Sequence, residues 1–261
     1  MTLRREVLFG GLLVLAFGGG ATCACLPQAR AQGAQTPHTL GCLLADADVE
    51  RVYPQGAATG QYRNGQEPLI GSSGNRDFDR ALAQTLARCA DLMEVLPGFA
   101  FFDDHNGLNA YATNRVRMQR ADGTVLMGQR LLARLLRQPE APDACVAAVC
   151  AHEFGHILQY KLGLADRLKK GQPTVKRVEL QADFFAGYFA GTRKRERQAF
   201  PAAVFAMTQF TFGDNMVQSP SHHGTADERA AAVVRGFEAA YRQKQNLADA
   251  IDTSLRYVST L

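Results

Sequence analysis

Residues 143–162 read DACVAAVCAHEFGHILQYKL, and this stretch decides how the rest of the chain is understood. Its apolar residues predict one long helix, stopped by Gly163. On a helix, residues four apart stand on one face, one turn apart. His152-Glu153-Phe154-Gly155-His156 therefore places two imidazoles side by side, able to bind one metal ion. Glu153 lies beside them, positioned to reach a metal-bound water rather than the metal. Chance would produce this pattern about 0.005 times in such a chain, so two unrelated core or surface histidines are the weaker account.

Two imidazoles alone hold zinc weakly, so a third ligand is needed. Glu179-Leu180-Gln181-Ala182-Asp183 sets two carboxylates four apart on the next predicted helix. The chain between His156 and Glu179 is long enough to leave one helix, turn, and return antiparallel past it. Glu179 then completes a His-His-Glu site with a fourth position for water. Asp183 can accept the free ring N–H of a ligand histidine, which fixes its tautomer and raises its basicity. A solvent-exposed acidic stripe is the competing account. Phe184, Phe185, Tyr188 and Phe189 argue against it, because a helix carrying them is largely buried. Buried carboxylates need partners, and a cation is a good one.

These residues resemble a gluzincin zinc metallopeptidase of the minigluzincin type, which includes the soluble relatives of HtpX and the CAAX prenyl proteases. His152 to His156 matches the active-site helix, and Glu179 to Asp183 matches the glutamate helix. Asn109-Ala110-Tyr111-Ala112-Thr113 resembles that family's edge strand. The likeness runs from about residue 108 to 183. It implies Zn2+ held by His152, His156 and Glu179, with Glu153 as general base. It implies that a peptide substrate lies along Asn109, Ala110, Tyr111 and Ala112, pairing through its main chain. His222-His223-Gly224-Thr225 resembles a downstream helix start in the same relatives. One of these histidines, His223 by preference, would face the metal, either donating to the oxyanion or filling the fourth zinc position as a latency device. A helix-capping or surface pair is the competing account. Tyr188 is a second candidate oxyanion donor. His38 and His105 read as loop residues, and Cys150, two residues before His152, as core.

Outward from this centre, the pattern is mostly helical. Asn75 caps a helix over residues 76–96, whose apolar face is Phe78, Leu82, Leu86, Cys89, Met93 and Leu96. Three short β-like runs follow, at residues 99–102, 108–113 and 124–127, separated by turn sequences at 103–107 and 121–123. Residues 130–138 look helical. Residues 165–173 read as a basic loop, after which Thr174 caps a helix to about Gly191. The basic cluster at residues 193–197 reads as a solvated helix end or loop. Pro201 starts a helix to about Phe212. Thr225 and Glu228 form a capping-box pair opening a last long helix toward Asn246. The expected fold is α+β: a mostly helical, zincin-like domain over residues 76–261, with a small sheet of about three strands. The active-site helix and an antiparallel glutamate helix form its centre.

Residues 1–31 read as an export signal. Arg4 and Arg5 precede VLFGGLLVLAF at residues 7–17, and Ala29-Arg30-Ala31 is a small-x-small cleavage site. The arginine pair and glycine-softened apolar run resemble a twin-arginine signal, with the general secretory route as the alternative. An uncleaved anchor fits less well because the run is short, and Cys25 sits in a poor lipid-attachment box. The mature chain is then expected in the periplasm or outside the cell, with residues 32–75 as an extended lead-in. Four cysteines remain: Cys42, Cys89, Cys145 and Cys150. An oxidising compartment permits two disulfides, and free buried thiols are the alternative. Cys145–Cys150 is disfavoured, since residues five apart on a helix lie about 8 to 9 Å apart.

Composition bounds the function classes. The 261 residues are 46% hydrophobic and 21% charged, as in ordinary globular proteins. A net charge of +4 is too mild to suggest nucleic acid, and with no Trp and the other aromatics spread rather than clustered, a base-stacking surface has no support. No apolar run past the N-terminus is long enough to cross a bilayer. The expected activity is hydrolysis of peptide bonds in exported or envelope proteins. The alternative is an envelope quality-control or assembly factor that binds partner proteins, its zinc structural or latent. A zinc amidase acting on cell-wall peptide shares the same ligands.

Overall fold

A computed structural model describes residues 66–105 and 107–261, together with the backbone of Leu43–Leu44. The expected export signal, most of the lead-in, His38 and Cys42 lie outside the described residues. Leu43–Leu44 forms strand β1. Helix α1 spans Arg76–Met93, capped by Asn75, whose side chain accepts from the backbone N–H groups of Asp77 and Phe78, each at 3.1 Å. Glu94 adopts a left-handed conformation (φ 51°) and ends the helix before Leu96. Leu96, expected on the buried face, is consequently exposed.

Strands β2 (Gly98–Phe102), β3 (Ala110–Thr113) and β4 (Thr124–Gly128) follow. The sheet order is β1-β3-β4-β2. β2 pairs parallel with β4, β3 antiparallel with β4, and the two-residue β1 parallel with β3. Ile70 bridges Phe101 on the outer flank of β2, so the end of the lead-in is tied to the sheet. The three longer strands are buried almost throughout, which is why they read as short apolar runs without alternation. Asp104, expected only as a turn residue, is buried and caps helix α2 (Gln129–Leu135) from a distance in sequence. Its carboxylate accepts from Arg130 N at 2.7 Å, Leu131 N at 2.9 Å and Asn109 N at 3.3 Å. Gly128 leaves room for it, since a Cβ there would lie 2.2 Å from Asp104 Oδ2.

Helix α3 (Pro142–Lys161) is the predicted central helix, and it is buried along nearly its whole length. The expected loop after it contains a short helix, α4 (Leu164–Lys169). Gly163 (φ 64°) turns the chain, and Leu164, Ala165 and Leu168 then pack inward. Their apolar spacing was masked by the neighbouring basic residues. Helix α5 (Lys176–Glu196) starts at Val175 rather than at a Thr174 cap and runs beyond Gly191 through the basic cluster. Arg193 and Arg88 both pair with Glu196, and cations suit the last turn of a helix. Helix α6 spans Ala203–Phe210. Helix α7 (Ala226–Tyr241) opens on the capping box of Thr225 and Glu228. The helix expected to run toward Asn246 ends at Tyr241, and a further, unexpected helix follows it. Lys244 turns with φ 54°, and Asn246 caps helix α8 (Leu247–Ser259) by accepting from Asp249 N at 2.9 Å.

Helices α5 and α7 cross with their backbones in contact. A Cβ on Gly187 would lie 1.9 Å from the Val233 carbonyl, and one on Gly236 would lie 1.7 Å from the Phe184 carbonyl. The α+β architecture therefore packs α3, α5 and α7 as the helical core beside a small mixed sheet. Cys89, Cys145 and Cys150 are free and buried within it. Among the described residues no helix is long and apolar enough to cross a membrane.

Candidate metal centre

His152 approaches Asp183, His156 approaches Glu179, and Gln159 approaches Val178. Numbers rise along α3 as they fall along α5, so the two helices run antiparallel. Gly155 sits where the two helices come close, since an added Cβ would lie 3.0 Å from Ala182 Cα. The glycine between the two histidines thus lets α5 come near enough for Glu179 to reach them.

The two Nε2 atoms are 3.0 Å apart. Glu179 Oε2 lies 3.4 Å from His152 Nε2, and Oε1 lies 3.6 Å from His156 Nε2. Neither Glu179 oxygen accepts a hydrogen bond. Zinc ligands about 2.0 to 2.1 Å from the ion in a tetrahedron lie roughly 3.3 Å from one another, so the spacing fits.

The protons are accounted for at the outer edges of both rings. His152 Nδ1 faces Asp183 Oδ1 at 2.8 Å. Burial would raise the Asp183 carboxyl, but Arg229 and His152 outweigh it and hold it below the usual carboxylate range. An ionised carboxylate only accepts, so Nδ1 donates and Nε2 keeps its lone pair. His156 Nδ1 faces the amide oxygen of Gln159 at 2.8 Å, with the same consequence. Burial lowers the pKa of His156 against the pull of Glu179, favouring the neutral ring. Burial would raise Glu179, yet the facing His156 and His152 hold it well below the usual range. Two nitrogen lone pairs and a carboxylate therefore converge inside the protein. Such a cluster is costly without a cation. Among the described residues, His152, His156 and Glu179 form the group able to hold a metal ion, their ligand atoms all within 4.8 Å of one another.

Glu153 is fully buried beside this group, about 100° around α3 from His152. His223 stands near by: Glu179 and His152 both act on its titration, and burial lowers its pKa. Its Nε2 is buried without a hydrogen-bond partner, and it is not a member of the metal-holding group. His222 instead points to Asp214, with Nδ1 2.6 Å from Oδ1. Tyr188 does not face the centre, since its hydroxyl donates to the Gln245 carbonyl at 2.9 Å. Asn109 precedes β3, and its carbonyl accepts from Gly128 N at 2.9 Å. On the flank of β3 away from β4, Ala112 and Thr113 pair with β1, whereas Ala110 and Tyr111 lie outside that pairing.

Sequence reasoning gave no role at the site to Arg229, Gln159 or Asp214. Arg229 donates from Nε to Asp183 Oδ2 at 2.7 Å and from Nη2 to Asp183 Oδ1 at 2.9 Å. A signal for it existed, because Arg229 shares the buried face of α7 with Ala232, Val233 and Gly236. Gln159 likewise lies three residues past His156, on the same side of the helix. Asp214 carried no such signal, being in a loop. It fixes the turn before α7 by accepting from His223 N at 2.9 Å and Met216 N at 2.8 Å.

Residues 120–246 match a family model described as "putative neutral zinc metallopeptidase". The match supports a zinc metallopeptidase family. The matched stretch contains all three candidate ligands as well as Glu153, Asp183, His223 and Arg229. Neither the curated proteins nor the solved structures gave a match. For this zinc metallopeptidase-like region, the chemistry of the donor set and the family description agree on the same ion.

Proposed function

We propose that this chain is an exported zinc peptidase of the minigluzincin kind, hydrolysing peptide bonds of exported or envelope proteins. The observation that carries the reading is the convergence of buried His152, His156 and Glu179, their facing Nε2 and carboxylate atoms free of protons, beside Glu153. The export signal expected in residues 1–31 supports the location.

Zinc, when bound, polarises the scissile carbonyl and lowers the pKa of a bound water to about 7. Everything else is done by the chain. Asp183 and Gln159 orient the imidazoles and keep both Nε2 atoms free of protons. Glu153 takes the proton of the attacking water and delivers it to the leaving amine. His223 donates from Nε2 to the developing oxyanion. The substrate backbone lies by main-chain pairing along Ala110 and Tyr111, the part of β3 that β1 leaves unpaired. The Glu153→Gln variant should keep fold and zinc while losing hydrolysis by orders of magnitude. Full activity in the zinc-replete variant would sink the assignment.

The enclosure of the site favours a second reading. His152, Glu153, His156 and Glu179 are each at most 2% exposed. On that reading the zinc is latent or structural, and the chain serves as an envelope quality-control or assembly factor. Zinc-loaded protein inert toward peptides, with Glu153→Gln silent in cells, would be its signature.

A further inference from the structure

We propose that Gln159, Gln181 and Ser254 are positioning residues for the metal centre. A one-way chain of hydrogen bonds through them holds the His156 proton on Nδ1 and couples helix α8 to the strength of metal binding. The inference rests on the zinc reading of the site and deepens it.

The two histidines are supported differently. His152 leans on Asp183, which is itself paired with Arg229. His156 leans on a neutral amide. The orientation of that amide follows from a group that cannot donate. The amide nitrogen of Gln159 lies 2.8 Å from the Val178 carbonyl, which only accepts. The amide oxygen must therefore be the atom facing His156 Nδ1 at 2.8 Å. An oxygen there accepts, so the ring must donate from Nδ1, leaving Nε2 as the lone pair. Reversing the amide would set two acceptors against each other at Val178.

The second N–H of Gln159 donates to Gln181 Oε1 at 3.0 Å. That orients Gln181, whose amide nitrogen donates to Ser254 Oγ at 2.9 Å. The Ser254 hydroxyl closes the chain by donating to the Ile251 carbonyl at 2.7 Å. Gln159, Gln181 and Ser254 are all fully buried. The two ends agree: the Val178 carbonyl fixes the Gln159 amide directly. The Ile251 carbonyl, through Ser254 and Gln181, holds an acceptor against its second N–H, so a hydroxyl on α8 reinforces the tautomer of a ring on α3. Helix α8 begins immediately after residues 120–246, the stretch matched by the family model. The last member of the relay thus comes from outside it.

The test uses the full chain with Gln159→Leu, Ser254→Ala and Val258→Ala. Val258 is buried on α8 but takes no part in the relay, so it reports simple loosening of that helix. Two quantities are read: zinc affinity by chelator competition, and the His156 tautomer in metal-free protein by nitrogen–proton correlation spectroscopy. Gln159→Leu should weaken zinc by about 10- to 100-fold and release the ring to place its proton on Nε2. Ser254→Ala should shift both readings in the same direction by less, which serves if Gln159→Leu does not fold. Val258→Ala should lower stability and leave both readings unchanged. A wild-type tautomer and affinity in Gln159→Leu or Ser254→Ala would overturn the proposal, as would equal weakening by Val258→Ala. Absence of zinc binding by the wild type would sink the zinc reading instead, and the tautomer alone would then decide on the relay.

Discussion

Arg229 and Asp183 form a two-bond ion pair in the interior, at 2.7 and 2.9 Å, and Asp183 passes its other contact to His152. Removing one member of a buried pair leaves the other charge uncompensated. Arg229→Met should therefore cost about 3 to 5 kcal/mol of folding stability. Asp183→Asn, which keeps the shape, should weaken zinc by about 10- to 100-fold. Urea unfolding of the metal-free protein and chelator competition measure the two effects separately.

Gly155 and Ala182 set the spacing of the two metal-bearing helices. A Cβ at position 155 would lie 3.0 Å from Ala182 Cα and 3.2 Å from its carbonyl oxygen. Gly155→Val must push α5 away and carry Glu179 with it. The expected cost is about 1 to 3 kcal/mol, together with zinc stoichiometry below that of the wild type. Metal analysis after gel filtration gives the answer, and full zinc content would show that the helices can separate without losing Glu179.

Asp214 ties the segment before α7 to its histidines. Burial would raise its carboxyl, but His223 N, the His222 ring and Met216 N hold it below the usual range. A carboxyl depressed in the folded state contributes stability that is complete above its unfolded pKa of about 4. That contribution is lost as pH falls from there through the folded value. Asp214→Asn should abolish this part of the acid dependence, so the two stability curves should converge toward low pH. Parallel curves would mean that Asp214 is not titrating against the fold.

Asp104 supplies the cap that Gly128 cannot. Asp104→Ala should cost about 0.5 to 2 kcal/mol. Hydrogen exchange should quicken first at Arg130 and Leu131, whose backbone N–H groups it holds. Unchanged protection at both amides would show that α2 is held by packing alone.

The central features were legible because they are local. Helical periodicity places His152 with His156, and Glu179 with Asp183, before any packing is known. Asn75 and the Thr225–Glu228 box declared two helix starts for the same reason. The misses have separate physical origins. The basic residues around Leu164–Lys169 hid three inward-facing apolar positions. The break at Lys244 depends on one left-handed residue, which has no strong sequence signal. Tyr188 read as a donor to the site, but a hydroxyl goes to the carbonyl the fold brings near, here Gln245.

By itself the sequence determined which side chains share a helix face, and hence that His152 stands with His156 and Glu179 with Asp183. That the two pairs meet as one donor set was decided by packing. Tertiary structure alone decided that Arg229 meets Asp183, that Gln159 meets Val178 and Gln181, and that β1 lies against β3. The reason is that backbone geometry fixes the distance between neighbours along a helix. The partner of a buried polar group comes from whichever distant element packs against it, and that choice depends on the whole core.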